Sequence, residues 1–265
     1  MTAMVLAASR RGGDDPVARL QNRSHKCFVE VDGIAMIERV VQALLDSECF
    51  ARILISIEGE HLLRELASTR RWLEEGTVEV VTSAENLADS LTALATSRDE
   101  SLFPLVITTA DNALHTPELI RDFVTSFAQG TGDVAMAATR ESTVLAEYPN
   151  AEFRFFQFRD GGYSFCNLYG IRSVKGLDAA KIFRTGGQFR KRPWRILKAF
   201  GVVSLIRYKW RLDSLNGLIQ RFAGNLGITI DAVILPYAFG SIDVDNPKSY
   251  EVSERTLQQR RTQRK

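Results

Sequence analysis

Three carboxylates and one basic loop in this chain have the types and placement to handle a phosphate-rich substrate. Asp111 stands just after the apolar run Leu105-Val106-Ile107, and far downstream Asp243 and Asp245 follow Ile242. Between Ala8 and Cys27, the loop from Ser9 to Lys26 carries Arg10, Arg11, Gly12, Gly13, Arg19, Arg23 and Lys26. Glycines let backbone approach a phosphate closely, and arginine grips its oxygens in a bidentate fork. Magnesium takes oxygen ligands and is held by one or two carboxylates plus substrate phosphates. Asp243 and Asp245 share one side of an extended segment because alternate residues do, so both could join Asp111 on one cation. Each feature also has a purely structural use. The loop could be a solvated basic surface, Asp111 an N-cap before Thr116, and Asp245 an N-cap before Pro247.

The elements that must position these groups read as βα units, with short apolar runs alternating with amphipathic stretches. Strands are expected at Met4–Ala8, Arg52–Ile57, Val78–Val81, Leu105–Thr109 and Val134–Ala138. Helices are expected at Ile34–Leu45, Glu60–Glu74 and Leu87–Thr96, and from Thr116, where a cap residue precedes proline at the first turn. The second half predicts a half-exposed strand over Phe153–Arg159, a turn at Gly161-Gly162 and a returning strand over Tyr163–Ile171. A helical region over Leu177–Phe222 and late strands at Ile228–Leu235 and Ile242–Val244 complete it. The expected class is α/β, a three-layer sandwich around a mostly parallel, Rossmann-like sheet. In such sheets ligands bind at the carboxyl ends of the strands, where the basic loop and Asp111 both fall.

The 265 residues are 45% hydrophobic and 25% charged, an ordinary globular composition with room for one large α/β domain. No repeat, low-complexity tract or linker divides the chain. The expectation is one domain over residues 1–265 with a basic helical insertion at about 177–225. A net charge of +2 gives no ground for a nucleic-acid binder. Cys27, Cys49 and Cys166 are widely separated and lack zinc or disulfide spacing, which suits a reducing cytoplasm. No apolar run is long enough for a signal peptide or a membrane span. His25, His61 and His115 are dispersed, with no partner that reads as a triad. Cys166 reads as a packed core residue.

The pattern Leu6-Ala7-Ala8, the basic glycine-containing loop, Lys26 and then Val31-Asp32-Gly33-Ile34-Ala35-Met36-Ile37 resembles the opening of nucleotidyltransferases of GT-A-like fold. These include the molybdenum-cofactor guanylyl- and cytidylyltransferases, the CMP-sugar synthetases and the sugar-nucleotide pyrophosphorylases. Thr109-Ala110-Asp111-Asn112-Ala113-Leu114 is similar to their aspartate loop, and Ile242-Asp243-Val244-Asp245-Asn246-Pro247 to their late acidic motif. The resemblance implies that Ala7, Ala8, Ser9, Gly12, Gly13 and Lys26 hold the triphosphate, with Arg10 and Arg11 assisting. It also implies that Asp111 binds the Mg2+ bridging to the α-phosphate, with Asp243 or Asp245 as the second metal ligand. Ser83, Glu85, Asn86 and Ser90 match the segment near base or ribose, and Asn167 a position near the acceptor. Ser9 departs from the family, which carries glycine there, and the loop is longer.

From Arg190 to Arg211 the chain carries eight cations and no acidic residue, interleaved with Trp194, Phe200, Tyr208 and Trp210. A basic amphipathic stretch with tryptophans suits peripheral contact with an anionic membrane at the inner face. A homodimer interface or a covering helix pair is a competing use, and a third places cations such as Arg192 on the acceptor's phosphate. Nucleic acid is disfavoured, since the aromatics alternate with aliphatic residues rather than forming a stacking platform.

The expected activity is Mg2+-dependent transfer of a nucleoside monophosphate, preferably CMP from CTP, to a phosphorylated sugar, polyol or lipid headgroup, with release of pyrophosphate. The rivals are a glycosyltransferase of GT-A type using a nucleotide-sugar, and a catalytically silent nucleotide-binding protein.

Overall fold

The computed structural model describes residues 1–9, 11–83, 100–149, 153–177 and 201–263. The strands are β1 (Thr2–Leu6), β2 (Glu30–Val31), β3 (Ile34–Ala35), β4 (Arg52–Ile57) and β5 (Glu79–Thr82), then β6 (Leu105–Thr109), β7 (Val134–Arg140), β8 (Phe156–Phe158), β9 (Gly161–Ile171) and β10 (Ile230–Ile234). The α-helices among the described residues are α1 (Met36–Asp46), α2 (Glu60–Leu63), α3 (Ala67–Glu74) and α4 (Pro117–Gln129), followed by α5 (Glu141–Glu147), α6 (Val202–Lys209), α7 (Leu215–Asn225) and α8 (Pro247–Gln263).

Eight strands form one mixed sheet in the order β10-β7-β9-β6-β1-β4-β5, with β8 beside β9. β1 pairs in parallel with β4 and β6, β4 with β5, and β7 with β10, whereas β9 runs antiparallel to β6, β7 and β8. Alternation along β1 divides the core. Ala3 and Val5 face α1 and α4, while Met4 faces the opposite layer with Leu54, Leu105, Ile107 and Leu177. α1 buries Ile37, Val40, Val41 and Leu44 at helical spacing, each contributing roughly 1.5–3 kcal/mol. An aspartate at Val41 would break that face. α4 starts where expected, the Thr116 hydroxyl accepting from the Leu119 N–H with Pro117 in the first turn.

Several boundaries differ from expectation. Ile34 belongs to a hairpin rather than a helix. Asp32 and Gly33 both have positive φ (50° and 74°), a two-residue type I′ turn that pairs β2 with β3 before α1 starts at Met36. Glu60–Glu74 is two helices interrupted at Arg64–Leu66. The third strand is shifted by one residue, to Glu79–Thr82. Only Phe156–Phe158 of the Phe153–Arg159 stretch pairs. Its turn is Arg159-Asp160 rather than Gly161-Gly162, because Phe158 is already opposite Gly161. Ile242–Val244 lies outside the sheet, fixed by the Val244 N–H on the Asp111 carbonyl (3.1 Å). The expected Leu87–Thr96 helix, and residues 178–200 of the insertion, lie outside the described residues; 201–225 hold α6 and α7.

Candidate active site

A separate apolar cluster brings the chemistry together. Val17 from the basic loop, Val29 just beyond it, Val31 from the hairpin, Met36 at the start of α1, Ala113 and Leu114 after Asp111, Ile242 and Val244 around Asp243, and Leu257 of α8 pack on one another. Val244 is fully buried, so its neighbours Asp243 and Asp245 turn to the opposite side.

There the three carboxylates meet. Asp111, Asp243 and Asp245 each present an oxygen, and these lie within 4.8 Å of one another. The Lys26 ammonium donates to both Asp111 and Asp245, the latter at 2.7 Å. The Thr109 hydroxyl donates to Asp111 Oδ1, with the Asn112 amide 3.5 Å from the same oxygen. The Asn167 amide donates to Asp243 Oδ2 at 3.2 Å. Burial, then Asp245 and Asp111, hold the Asp243 carboxyl above the usual carboxylate range, against the pull of Lys26 and Asn167. Burial alone would lower Lys26, but Asp111 and Asp245 outweigh it and raise the ammonium above its ordinary value.

The capping uses of these aspartates do not hold. Thr116 caps α4. Asn246 Oδ1 accepts from the Lys248 and Ser249 N–H groups at the start of α8 (3.0 and 3.1 Å), leaving Asp245 free to face Lys26. Three carboxylates against one ammonium leave an excess of two formal negative charges in a partly buried, all-oxygen donor set, which fits a hard divalent cation. Oxygens around one such ion at about 2.1 Å lie about 3.0 Å (cis) to 4.2 Å (trans) apart, so binding draws the three carboxylates closer together.

The basic loop folds as short turns at Gly12–Asp14, Ala18–Gln21 and Lys26–Phe28. Gly12 takes the left-handed step (φ 51°), and Ser9 does not. The Ser9 N–H instead donates to Glu58 Oε1 (2.7 Å), and Glu58 also meets His25 (3.3 Å). Ala7, just past the end of β1, is buried and donates to Ser56 O, while Ala8 and Gly13 are exposed. Arg11 is exposed. Arg19 pairs with Asp14 and Arg23 with Glu30, so each charge has an acid beside it. Ser83 continues β5, its N–H on Ile57 O. Arg10, Glu85, Asn86, Ser90 and Arg192 lie outside the described residues.

Asn167 owes its aim to a bulge. Between Met136 and Ala138 the β7–β9 register shifts, and Asn167 adopts φ 48°, turning its amide to Asp243. Sequence spacing gave no sign of two further positioning residues. His115, dismissed on sequence as dispersed, is buried and meets Gly240 O (3.0 Å) across 125 residues. Arg260 donates to Leu114 O (3.0 Å) and lies 4.0 Å from the centre of the Phe239 ring. Both tie the Asp111 loop to the segment carrying Asp243. Cys166 is buried as expected, and burial pushes its thiol up to about 12.

Burial pushes the His115 imidazole down to about 4 from an ordinary 6.5. Its stabilisation is therefore fully present above pH 6.5 and is lost as pH falls towards about 4. The loss should reach about 3 kcal/mol. Denaturant melts across that window should show it in the wild type and not in His115→Gln. Equal pH dependence in both would contradict this role; the comparison cancels opposing carboxyl groups such as Asp243.

The sequence model of the MobA-like NTP transferase domain matches residues 3–189. No curated protein matches the chain significantly. A hypothetical transferase from Thermus thermophilus has the same fold, with a TM-score of 0.74 at 20% identity over 94% of this chain and 98% of the other. A 4-diphosphocytidyl-2C-methyl-D-erythritol synthase from Anaerococcus prevotii aligns with a TM-score of 0.56 at 12% identity, over 97% of each chain. A CMP:2-keto-3-deoxy-manno-octonic acid synthetase complexed with CTP aligns with 0.56 at 13%, over 98% of this chain and all (100%) of the other. At these identities the likeness is one of fold.

Proposed function

We propose, since the chain belongs to the MobA-like NTP transferase family, that it transfers CMP from CTP to a phosphorylated small molecule and releases pyrophosphate. The observation that carries this reading is the convergence of Asp111, Asp243 and Asp245 on one point beside Lys26 and the loop after β1. The whole chain acts as one domain with its insertion at about 177–225. The preference for CTP is supported by the fold shared with two cytidylyl-type synthetases, one of them complexed with CTP.

Mg2+ held by Asp111 and by Asp243 or Asp245 would neutralise charge on the triphosphate. Ser9, Gly12, Gly13 and Arg11 line the mouth where the phosphates enter, and the Lys26 ammonium offers N–H groups to their oxygens. Asn167 keeps the Asp243 carboxylate turned towards that point. The acceptor, a sugar, polyol or lipid-headgroup phosphate, attacks the α-phosphorus in line; its oxygen forms the new P–O bond as the bond to the β-phosphate breaks. An acceptor phosphate is already an anion, so no general base is required, and positioning and charge neutralisation carry the catalysis. The reaction belongs in the cytoplasm, where nucleoside triphosphates are available.

Pyrophosphate release measured with each of the four triphosphates, Mg2+ and a panel of phosphorylated acceptors tests this. CTP should support the fastest release with at least one acceptor. Cleavage of a nucleotide-sugar without pyrophosphate, or nucleotide binding with no turnover on any acceptor, would overturn it.

A further inference from the structure

Five of the eleven exposed large apolar side chains among the described residues fall within 202–212: Val202, Val203, Ile206, Trp210 and Leu212, exposed by 54%, 62%, 42%, 63% and 45%. At about 100° per residue, Val202, Ile206, Trp210 and Val203 share one stripe of α6. Lys209 flanks it on one side and Arg207 on the other. The opposite side carries buried Ser204 and half-buried Tyr208, whose ring meets Phe158 edge-on at 5.6 Å, so the body of the protein fixes which face points outward. Arg207 is held by both oxygens of Asp213 (2.7 and 2.6 Å), which secures the end of the helix. Lys209 and Arg211 are exposed. In the sequence, residues 190–211 contain no acid.

We infer that the outward face of α6 docks on an anionic lipid bilayer. Charge selects this occupant: an apolar stripe with a tryptophan at its end and the exposed cations Lys209 and Arg211 beside it matches the headgroup boundary of a negatively charged membrane. A stable second copy of the chain fits less well, because a dimer typically buries about 800 Å² per partner. One face of an eight-residue helix offers far less, and the cations would oppose each other across a twofold axis. No helix among the described residues is long and apolar enough to cross a membrane, so the contact is a surface one. This docking does not depend on the reaction proposed above.

Co-sedimentation of the full chain with vesicles tests it. Equimolar phosphatidylglycerol and phosphatidylcholine should pellet the wild type at low salt, and phosphatidylcholine alone should not. Val203→Asp and Lys209→Glu, both at exposed positions, should each lower the partition coefficient by roughly tenfold, with melting curves unchanged. The inference is overturned by no recruitment to anionic vesicles, by recruitment that neither variant reduces, or by a wild-type dimer in sedimentation velocity that Val203→Asp dissolves.

Discussion

Asp111→Asn should lower the rate of pyrophosphate release by at least about 10³-fold while leaving the protein folded. Asp111 meets more of the cluster's side chains than either later aspartate does. It faces Lys26, receives the Thr109 hydroxyl and lies within 4.8 Å of oxygens on both later aspartates. The amide is nearly isosteric and can still accept from Thr109, so the loop keeps its shape. It removes the repulsion from the later aspartates together with the attraction to Lys26, so thermal stability should change little. Turnover within a few fold of wild type, or a collapsed melting transition, would contradict the assignment.

Lys26→Met should act in two opposite directions. Turnover should fall by about 10² to 10³-fold, as for loss of one donor that stabilises developing charge. Divalent-cation affinity without nucleotide should rise, because the ammonium donates to Asp111 and Asp245 and competes for their charge. Methionine keeps most of the apolar stem, so packing beneath the loop is retained. Manganese affinity and kcat measured on the same preparation separate the effects. If affinity and turnover fell together, Lys26 would be holding the carboxylates in place rather than contacting phosphate.

The sheet was largely legible because buried parallel strands read as short apolar runs bounded by helices of clear period, as at Leu105–Thr109 and Met36–Asp46. Asp111 was legible because it follows the apolar run of β6, and such strand ends gather on one edge, whereas Asp243 and Asp245 were legible from their alternate spacing although their segment lies outside the sheet. Other features depend on partners distant in sequence. Asn167 reaches Asp243 only through a register shift set by β7, and His115 finds its acceptor at Gly240. Glu58 reaches Ser9 because β4 lies beside β1. Arginine in a glycine loop suggested phosphate contacts, yet Arg19 and Arg23 had acids within reach in the same stretch, Asp14 and Glu30. The Asp32-Gly33 turn was readable from its dipeptide but was hidden inside an apolar run that resembled the start of a helix.

Manganese titration followed by electron paramagnetic resonance tests most directly whether three remote carboxylates serve one cation. The wild type should bind one Mn2+ per chain, and Asp111→Asn and Asp243→Asn should each weaken that same site by at least about tenfold. Unchanged binding in both variants, or no bound ion in the wild type even with CTP present, would contradict the account.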